Sequence, residues 1–324
     1  MAQVVGVFNT AHSPFCYRPP EKWNDVRNSR SLREDVPWDD LDENRKKAAR
    51  VRDGFATLRA KMSEANPDVV IVIGDDQYEC FDFANFPSFA VYVGDEFEGY
   101  NSGYAHDGLE ERPEKVRLKG HPGLGVGVLT GLMRHGFDPA FSMDMPKPDR
   151  GVGHAIMRPA ESVIGYETPV LPVLLNCYYA PQPTAARCYE FGRALRQAIE
   201  EYPEDLRVAV VGSGGLWHTP GAKDAYLDED FDREMMRLLE AGDIRGMAEH
   251  FDRYEVPSGD ASQDVSVRGR SATGMPTFGG PQGGTRETCN WIAAAAVADG
   301  QGHVIVDYIP VYASPIGAGF SYCV

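Results

Sequence analysis

The chain has 324 residues, of which 43% are hydrophobic, and it carries a formal net charge of −16. This length and apolar content suit one large α/β domain with a substantial core. The strong negative charge argues against nucleic acids and anionic membranes as partners, because an acidic surface repels phosphate groups. Six scattered cysteines include no CxxC pair, so neither a zinc knuckle nor a disulfide framework is indicated. The amino terminus shows no signal peptide or membrane span, which predicts a cytoplasmic protein.

The first part of the chain predicts a strand–helix–strand unit. An apolar strand is expected at residues 4–9, followed by an irregular excursion at 18–42 that is rich in Pro, Arg and Asp. Apolar residues then recur at three- and four-residue steps over 41–65, which predicts an amphipathic helix. Pro67 ends this helix, and the apolar run 69–73 predicts a buried strand. Such a βαβ-like opening implies a parallel sheet with functional groups at the carboxyl ends of its strands.

The rest of the chain continues the alternation of strands and helices. Strands are expected at 169–175 and 206–211, and helices at about 124–135, 184–201, 231–241 and 285–298. The Gly-rich stretch 266–284 is typical of a long functional loop. We therefore predict one α/β domain over 1–324, in which a mixed, largely parallel sheet is flanked by helices.

Polar side chains that could bind a metal ion follow several of the predicted strands or begin a helix. They are His12, the run Asp75-Asp76-Gln77, His154, His218 and Glu287. Each has an ordinary explanation by itself: a histidine after a strand is commonly a hydrogen-bonded loop residue, and a glutamate in a first helical turn favours the helix dipole.

Together these residues indicate a metal site. His12, Glu287 and one residue near position 77 could form a three-ligand face, which suits non-haem Fe(II) with open positions for a substrate and O₂. The imidazoles of His154 and His218 could then transfer protons near neutral pH.

Several motifs in a fixed order carry a resemblance to a known family. They are AHSPF, PDVVIVIGDDQYECF, RGVGHAIMRP, PVLPVLLNCYYAPQPTAARCYEFGRAL, VAVVGSGGLWHTPG, RETCNWIAAAA and PVYASPIGAGFSY. Through them the chain resembles the class III extradiol ring-cleavage dioxygenases, which include the β subunit of protocatechuate 4,5-dioxygenase. PPEKW at 19–23 and the motif around Gln77 most resemble the 3-O-methylgallate dioxygenase branch.

The resemblance implies an Fe(II) site and roles for individual residues. His12 and Glu287 match metal ligands, and Gln77 stands where many relatives carry a second histidine ligand. Because an amide oxygen is a weaker ligand than imidazole, Asp76 is an alternative ligand. His218 matches the acid/base histidine. His154 matches a histidine that holds the substrate or oxygen.

The implied reaction is O₂-dependent opening of the ring of a vicinal-diol aromatic acid, with both oxygen atoms incorporated. Substrates of this class include 3-O-methylgallate, gallate and protocatechuate, which are compounds of aromatic and lignin-derived catabolism. Arg158, Arg268 and Arg270 are candidates for binding the substrate carboxylate, although surface arginines also serve solubility. The resemblance further implies a homo-oligomer, with or without a small α-type partner subunit.

Two other classes of function stay open at this level. A non-oxidative hydrolase or lyase could use His154, His218 and the Asp75/Asp76 pair, because this kind of fold does not force dioxygen chemistry. A non-catalytic subunit is the other alternative, since Gln77 replaces the usual histidine. Nicotinamide enzymes fit poorly, because VFNTAHS rather than a GxGxxG motif follows the first strand.

Overall fold

The computed structural model describes residues 1–104, 112–219, 222–256 and 277–324. The strands are β1 (Gln3–Thr10), β2 (Val69–Asp75), β3 (Phe89–Tyr92), β4 (Glu96–Tyr100), β5 (Lys115–Lys119), β6 (Ala140–Ser142), β7 (Val170–Leu175), β8 (Arg207–Ser213), β9 (Val304–Val311) and β10 (Ile316–Cys323). The α-helices are α1 (Trp23–Arg27), α2 (Leu41–Ala65), α3 (Pro122–Arg134), α4 (His154–Pro159), α5 (Ala185–Glu200), α6 (Glu229–Glu240), α7 (Ile244–Arg253) and α8 (Thr288–Ala296). No described helix combines the length and apolar character that a membrane crossing requires.

Eight of these strands form one mixed sheet in the order β6-β3-β7-β2-β8-β1-β10-β9. Strands β7, β2, β8 and β1 run parallel, whereas β10 is antiparallel to both β1 and β9, and β3 is antiparallel to β7. The predicted mixed, largely parallel sheet is therefore confirmed. Because the four central strands are parallel, their carboxyl ends meet at one edge of the sheet, where the polar motifs follow.

Helix α2 has the bounds that the sequence pattern predicts. Its N-cap residue Asp40 accepts a hydrogen bond from the backbone N–H of Glu43, which satisfies one of the free amides of the first turn. Asn66 ends the helix in the left-handed conformation, at φ 44°, and Pro67 follows. This turn directs the chain from the end of α2 into β2, which begins at Val69.

The sheet is buried on both faces, which explains the unbroken apolar run of β2. Alternate side chains of this strand belong to two different hydrophobic cores, one on each face of the sheet. On one face, Val69, Ile71 and Ile73 pack with α3, α5, α7 and α8. Val70 and Val72 pack on the opposite face with α2 and α4. All five side chains are fully buried.

Two parts of the chain differ from the predicted pattern. The predicted helix 285–298 begins only at Thr288, because Gly283–Glu287 form a 3₁₀ turn. Glu287 thus precedes the helix and makes no capping hydrogen bond, which leaves its carboxylate free to turn towards the sheet edge. The hairpin β9–β10 was not predicted from the sequence. Most of the predicted loop 266–284 lies outside the described residues.

Candidate metal centre

Three acidic or imidazole side chains converge at the carboxyl edge of the central strands. His12 follows β1, Asp75 is the last residue of β2, and Glu287 precedes α8. One ligand atom of each lies within 4.8 Å of those of the other two, and all three residues are buried. His12 Nε2 lies 3.1 Å from Glu287 Oε2 and 3.9 Å from Asp75 Oδ1. This group could hold a metal ion.

The His12 ring is fixed from its other nitrogen. Nδ1 lies 3.0 Å from the hydroxyl of Ser213, the last residue of β8, so Nε2 faces the carboxylates. Gly214 follows with φ 109°, and a Cβ atom there would come within 2.6 Å of Glu287 Oε2 and 3.0 Å of His12 Cε1. Position 214 therefore requires glycine both for its backbone conformation and for the close approach of these two side chains.

The electrostatics of the group favour a cation. Burial raises the pKa of Asp75 well above its usual range, and the nearby Glu287 carboxylate raises it further. Burial also opposes ionisation of Glu287, but His218 and His12 outweigh it and hold the pKa of Glu287 well below its usual range. Burial lowers the pKa of His12, which favours a neutral imidazole with a lone pair. Oε2 of Glu287 is buried, and Nε2 of His12 lies 3.1 Å away without the geometry of a hydrogen bond, so this oxygen and the lone pair of a neutral His12 are both available to a cation.

The other carboxylate oxygen of Glu287 has close polar neighbours. Oε1 accepts a short hydrogen bond from the Tyr178 hydroxyl and lies 3.2 Å from Nε2 of His218. The His218 ring is oriented by the Leu216 carbonyl, which lies 3.2 Å from Nδ1. Burial lowers the pKa of His218, but the Glu287 charge outweighs this effect and the net shift is upward.

His154 forms a second polar pair at the edge of the group. Its Nδ1 lies 2.5 Å from Oε1 of Glu79, and its ring lies edge-on to that of His12 with 4.7 Å between centroids. Burial opposes the charges of both partners. Their mutual attraction is stronger, however, and it raises the pKa of His154 to about 9 and lowers that of Glu79 to about 2. The pair is therefore an imidazolium and a carboxylate near neutral pH.

Gln77 lies at the centre of these side chains. Its Nε2 is 3.0 Å from the Tyr178 hydroxyl, 3.2 Å from Glu287 Oε1, 3.3 Å from Asp75 Oδ2 and 3.4 Å from His154 Nε2. Three of these neighbours, the Tyr178 hydroxyl and the two carboxylate oxygens, can accept a hydrogen bond, but an amide nitrogen carries only two hydrogens and cannot satisfy all three at once. Gln77 thus occupies a position where several lone pairs meet.

The adjacent carboxylates of the GDDQ motif have different surroundings. Asp75 enters the group with His12 and Glu287, and Asn290 donates to its Oδ1 at 3.3 Å. Asp76 instead accepts the backbone N–H groups of residues 79–81 at 2.6 to 3.3 Å. Its carboxylate closes the loop after β2 and does not join the group around His12.

Of the three candidate arginines, the structure describes only Arg158, which does not join this group. Arg158 is buried on α4 with its guanidinium over the ring of Tyr17, at 4.7 Å, and 3.7 Å from Oε2 of Glu161. Arg268 and Arg270 lie outside the described residues.

Two members of the site, Glu79 and Tyr178, were not among the candidates selected from the sequence. Asp75 was selected in the run Asp75-Asp76-Gln77, but Gln77, with Asp76 as the alternative, was predicted as the ligand. Glu79 lies two residues after Gln77, so the polar GDDQYE run was its only local signal. Tyr178 follows β7, and only the parallel pairing of β7 with β2 brings it to the same edge.

Comparison with known proteins identifies the family. A model described as the catalytic LigB subunit of aromatic ring-opening dioxygenase matches residues 37–264. The chain belongs to this family. Gln77, His154 and His218 lie inside the matched LigB-family region, whereas His12 and Glu287 lie outside it. The membership confirms the family resemblance that the motifs predict.

The individual relatives that match this chain have only modest sequence identity to it. The chain is 34% identical to gallate dioxygenase of Pseudomonas putida over 125 residues, which cover 37% of this chain and 35% of that protein. It is 31% identical over 170 residues to 2,3-dihydroxyphenylpropionate/2,3-dihydroxicinnamic acid 1,2-dioxygenase of Mycolicibacterium paratuberculosis, covering 51% and 48% of the two chains. The enzyme of the same name from Photorhabdus laumondii is 28% identical over 171 residues, covering 52% and 49%. These alignments span half or less of each relative.

Proposed function

We propose that the protein is a non-haem Fe(II)-dependent extradiol dioxygenase that opens the ring of a vicinal-diol aromatic acid. The observation that carries this proposal is the buried group His12, Asp75 and Glu287, flanked by His154 and His218, in a member of a ring-opening dioxygenase family. The curated relatives act on dihydroxylated or trihydroxylated aromatic acids according to their names. Gallate, protocatechuate and 3-O-methylgallate are the substrates that we propose for this chain.

The donor set fits a divalent ion such as Fe(II). His12 and Glu287 are the proposed ligands predicted from the sequence, and the distances favour Asp75 as the third. One imidazole and two carboxylates suit iron or manganese better than the soft ions that prefer thiolates. Gln77 remains a proposed further ligand through its amide oxygen. Bound iron would supply a site at which a diol and O₂ are held side by side.

His218 is the proposed acid/base residue. Because the Leu216 carbonyl lies against Nδ1, the hydrogen of a neutral ring belongs on Nδ1. Nε2 then carries the lone pair at the edge of the group and can accept a proton from a substrate hydroxyl. Glu287, at 3.2 Å, stabilises the imidazolium that results. The same nitrogen can return the proton later in the reaction.

His154 is proposed to orient the substrate. Glu79 holds its Nδ1, so Nε2 is directed towards Gln77 and the centre of the group. A charged imidazole there donates a hydrogen bond to a substrate oxygen or to dioxygen. Arg268 and Arg270 remain proposed partners of the substrate carboxylate, which a guanidinium can bind through two parallel hydrogen bonds. Arg158 is less suited to this role, because its guanidinium packs over Tyr17 and lies beside Glu161.

The test is oxygen uptake by protein reconstituted anaerobically with Fe(II). The substrate panel contains 3-O-methylgallate, gallate, protocatechuate and catechol. We expect uptake matched by a new ring-opened chromophore with at least one of the aromatic acids. Iron-loaded protein that consumes no oxygen with any of them would contradict the proposal and favour a hydrolase or lyase. Protein that binds neither iron nor these substrates would favour a non-catalytic subunit.

A further inference from the structure

A cavity lies beside helix α2, and none of the side chains grouped around Glu287 is among its lining residues. It is open to solvent, with exposed side chains of α2 on one wall, and its volume of about 790 Å³ is a size that small-molecule sites commonly have. Its walls come from α2, from the segment that follows His12, and from residues 102–104 and 161–162. We call this space the α2 cavity.

One stripe of α2 provides the charge of the α2 cavity. Arg45, Arg52 and Arg59 are seven residues apart, so they lie on the same face of the helix, two turns from one another. Arg18 lines the opposite wall, and among the described residues two carboxylates, Glu21 and Glu161, line the cavity with these four arginines. A net positive cavity in a protein with a charge of −16 favours an anionic ligand.

The pairing of these groups singles out Arg52. Arg45 is bound to Glu21 at 3.1 Å, and Arg59 donates to the Ser162 carbonyl at 3.1 Å. Both oxygens of Glu161 accept hydrogen bonds from Ser102. Among the described residues, Arg52 makes no hydrogen bond and no ion pair within 4 Å, although it exerts a longer-range attraction on Glu21.

A buried charge stands behind the wall of the α2 cavity. Arg158 is 7% exposed, and its Nε and Nη1 atoms have no hydrogen-bond partner. Its guanidinium lies over the ring of Tyr17, which lines the cavity, and its Nη1 is 3.7 Å from Oε2 of Glu161. Because this long ion pair compensates the buried charge only in part, an anion in the cavity would add a favourable long-range interaction.

The remaining lining is apolar or aromatic. Ala48, Phe55 and Ala56 lie between the arginines of the α2 stripe, and Tyr17 and Pro19 face them. The rings of Tyr17 and Phe55 pack together with 5.3 Å between centroids. Bare phosphate or sulfate would leave these surfaces without a partner, whereas an organic carboxylate would cover them.

We propose that the α2 cavity is a binding site for a small organic carboxylate with a planar apolar body, anchored by Arg52. This site is separate from the proposed reaction at the metal centre. Its ligand would place the carboxylate between Arg52 and Arg18 and the apolar body against Phe55 and Tyr17. A guanidinium with free donors binds such a group through two parallel hydrogen bonds.

The test is calorimetric titration of the full-length protein with benzoate, which has no diol and therefore is not a ring-cleavage substrate. We expect saturable binding that weakens roughly tenfold or more in Arg52→Gln, since hydrogen bonds between charged groups are among the stronger ones. Lys46→Ala is the matched control, because Lys46 lies on the same helix, pairs with Glu43 within the described part of the chain and does not line the cavity. Arg52→Glu should abolish binding altogether.

Two further titrations distinguish benzoate binding in the α2 cavity from binding elsewhere. His154→Ala should leave benzoate binding unchanged; loss in this variant with retention in Arg52→Gln would place benzoate at the metal centre and overturn the proposal. Inorganic phosphate should bind more weakly than benzoate, and equal affinity would contradict the role of the apolar wall. Absence of saturable benzoate binding to the wild-type protein would also overturn it. All of these experiments measure binding and not turnover. Their outcome is therefore independent of whether the protein is a dioxygenase.

Discussion

The side-chain nitrogen of Gln77 lies 3.2 Å from Oε1 of Glu287, between two carboxylates and two other polar groups. A glutamine that ligates a metal does so through its oxygen, so the amide must turn over when an ion is bound. Replacement by histidine would remove the competing N–H groups and add an imidazole donor. We therefore expect Gln77→His to bind Fe(II) more tightly than the wild-type protein, as measured by equilibrium competition with a chelator. Unchanged affinity would contradict a ligand position at residue 77.

His12 and Glu287 form the centre of the proposed metal site. Their facing atoms are 3.1 Å apart, and neither residue is accessible to solvent that could replace a lost ligand. His12→Ala and Glu287→Ala should lose both bound iron and oxygen uptake. Metal analysis of the purified variants checks this directly. Either variant retaining stoichiometric iron would refute the ligand assignment.

The neighbours Asp75 and Asp76 provide a matched pair of substitutions. Asp75→Asn should weaken iron binding, because Asp75 is the third member of the buried group. Asp76→Asn should leave iron binding intact, since that carboxylate is engaged with backbone amides. It should instead lower the free energy of unfolding by about 1–3 kcal/mol, the usual cost of impaired buried hydrogen bonds. The reverse pattern in chelator competition would restore Asp76 as the ligand.

His218→Phe separates proton transfer from metal binding. If Nε2 of His218 exchanges a proton with the substrate, the variant should lose roughly 100- to 10,000-fold in kcat. Its iron content should equal that of the wild-type protein, because His218 lies outside the group of closest ligand atoms. Steady-state oxygen uptake and metal analysis on the same sample distinguish the two roles. Loss of iron would make His218 a ligand.

We expect His303 to make the stability of the fold depend on pH. Burial lowers the pKa of this residue from 6.5 to about 4. Between those values the unfolded chain binds a proton that the folded protein does not, so the free energy of unfolding falls as the pH is lowered from about 6.5. The full difference is roughly 3 kcal/mol.

His303→Asn tests this source of acid sensitivity. The asparagine oxygen can replace Nδ1, which lies 3.3 Å from the Ser321 hydroxyl, but it does not titrate. Urea unfolding at pH 8 and pH 5 should show a smaller loss of stability in the variant than in the wild-type protein. Equal losses in the two proteins would show that His303 is not the source.

The fold was predictable where local patterns are strong. Helix α2 carries its own caps at Asp40 and Asn66, and β2 is an unbroken apolar run because both of its faces are buried. The hairpin β9–β10 escaped prediction because Pro310 and the glycines at 317 and 319 interrupt its apolar pattern. Those glycines are required by tertiary contacts instead: a Cβ at 319 would collide with Trp291.

The sequence predicted most of the residue types in the site, but not which of neighbouring residues face the metal group. His12 and Glu287 were predicted together and lie together, but neighbouring carboxylates at a strand end cannot be distinguished by periodicity. Which of Asp75 and Asp76 faces the group is decided by the backbone amides of residues 79–81. Tyr178 is brought in by strand pairing, for which the local sequence holds no signal.

The most direct measurement is the fate of the oxygen atoms in the product. Iron-loaded protein is incubated with the best substrate of the panel under ¹⁸O₂, and the ring-opened product is analysed by mass spectrometry, with Glu287→Ala as the inactive control. A dioxygenase inserts both labelled atoms into each product molecule. A product whose new oxygen comes from water, or one that carries no label, would contradict the assignment and identify a hydrolytic or other non-oxidative reaction.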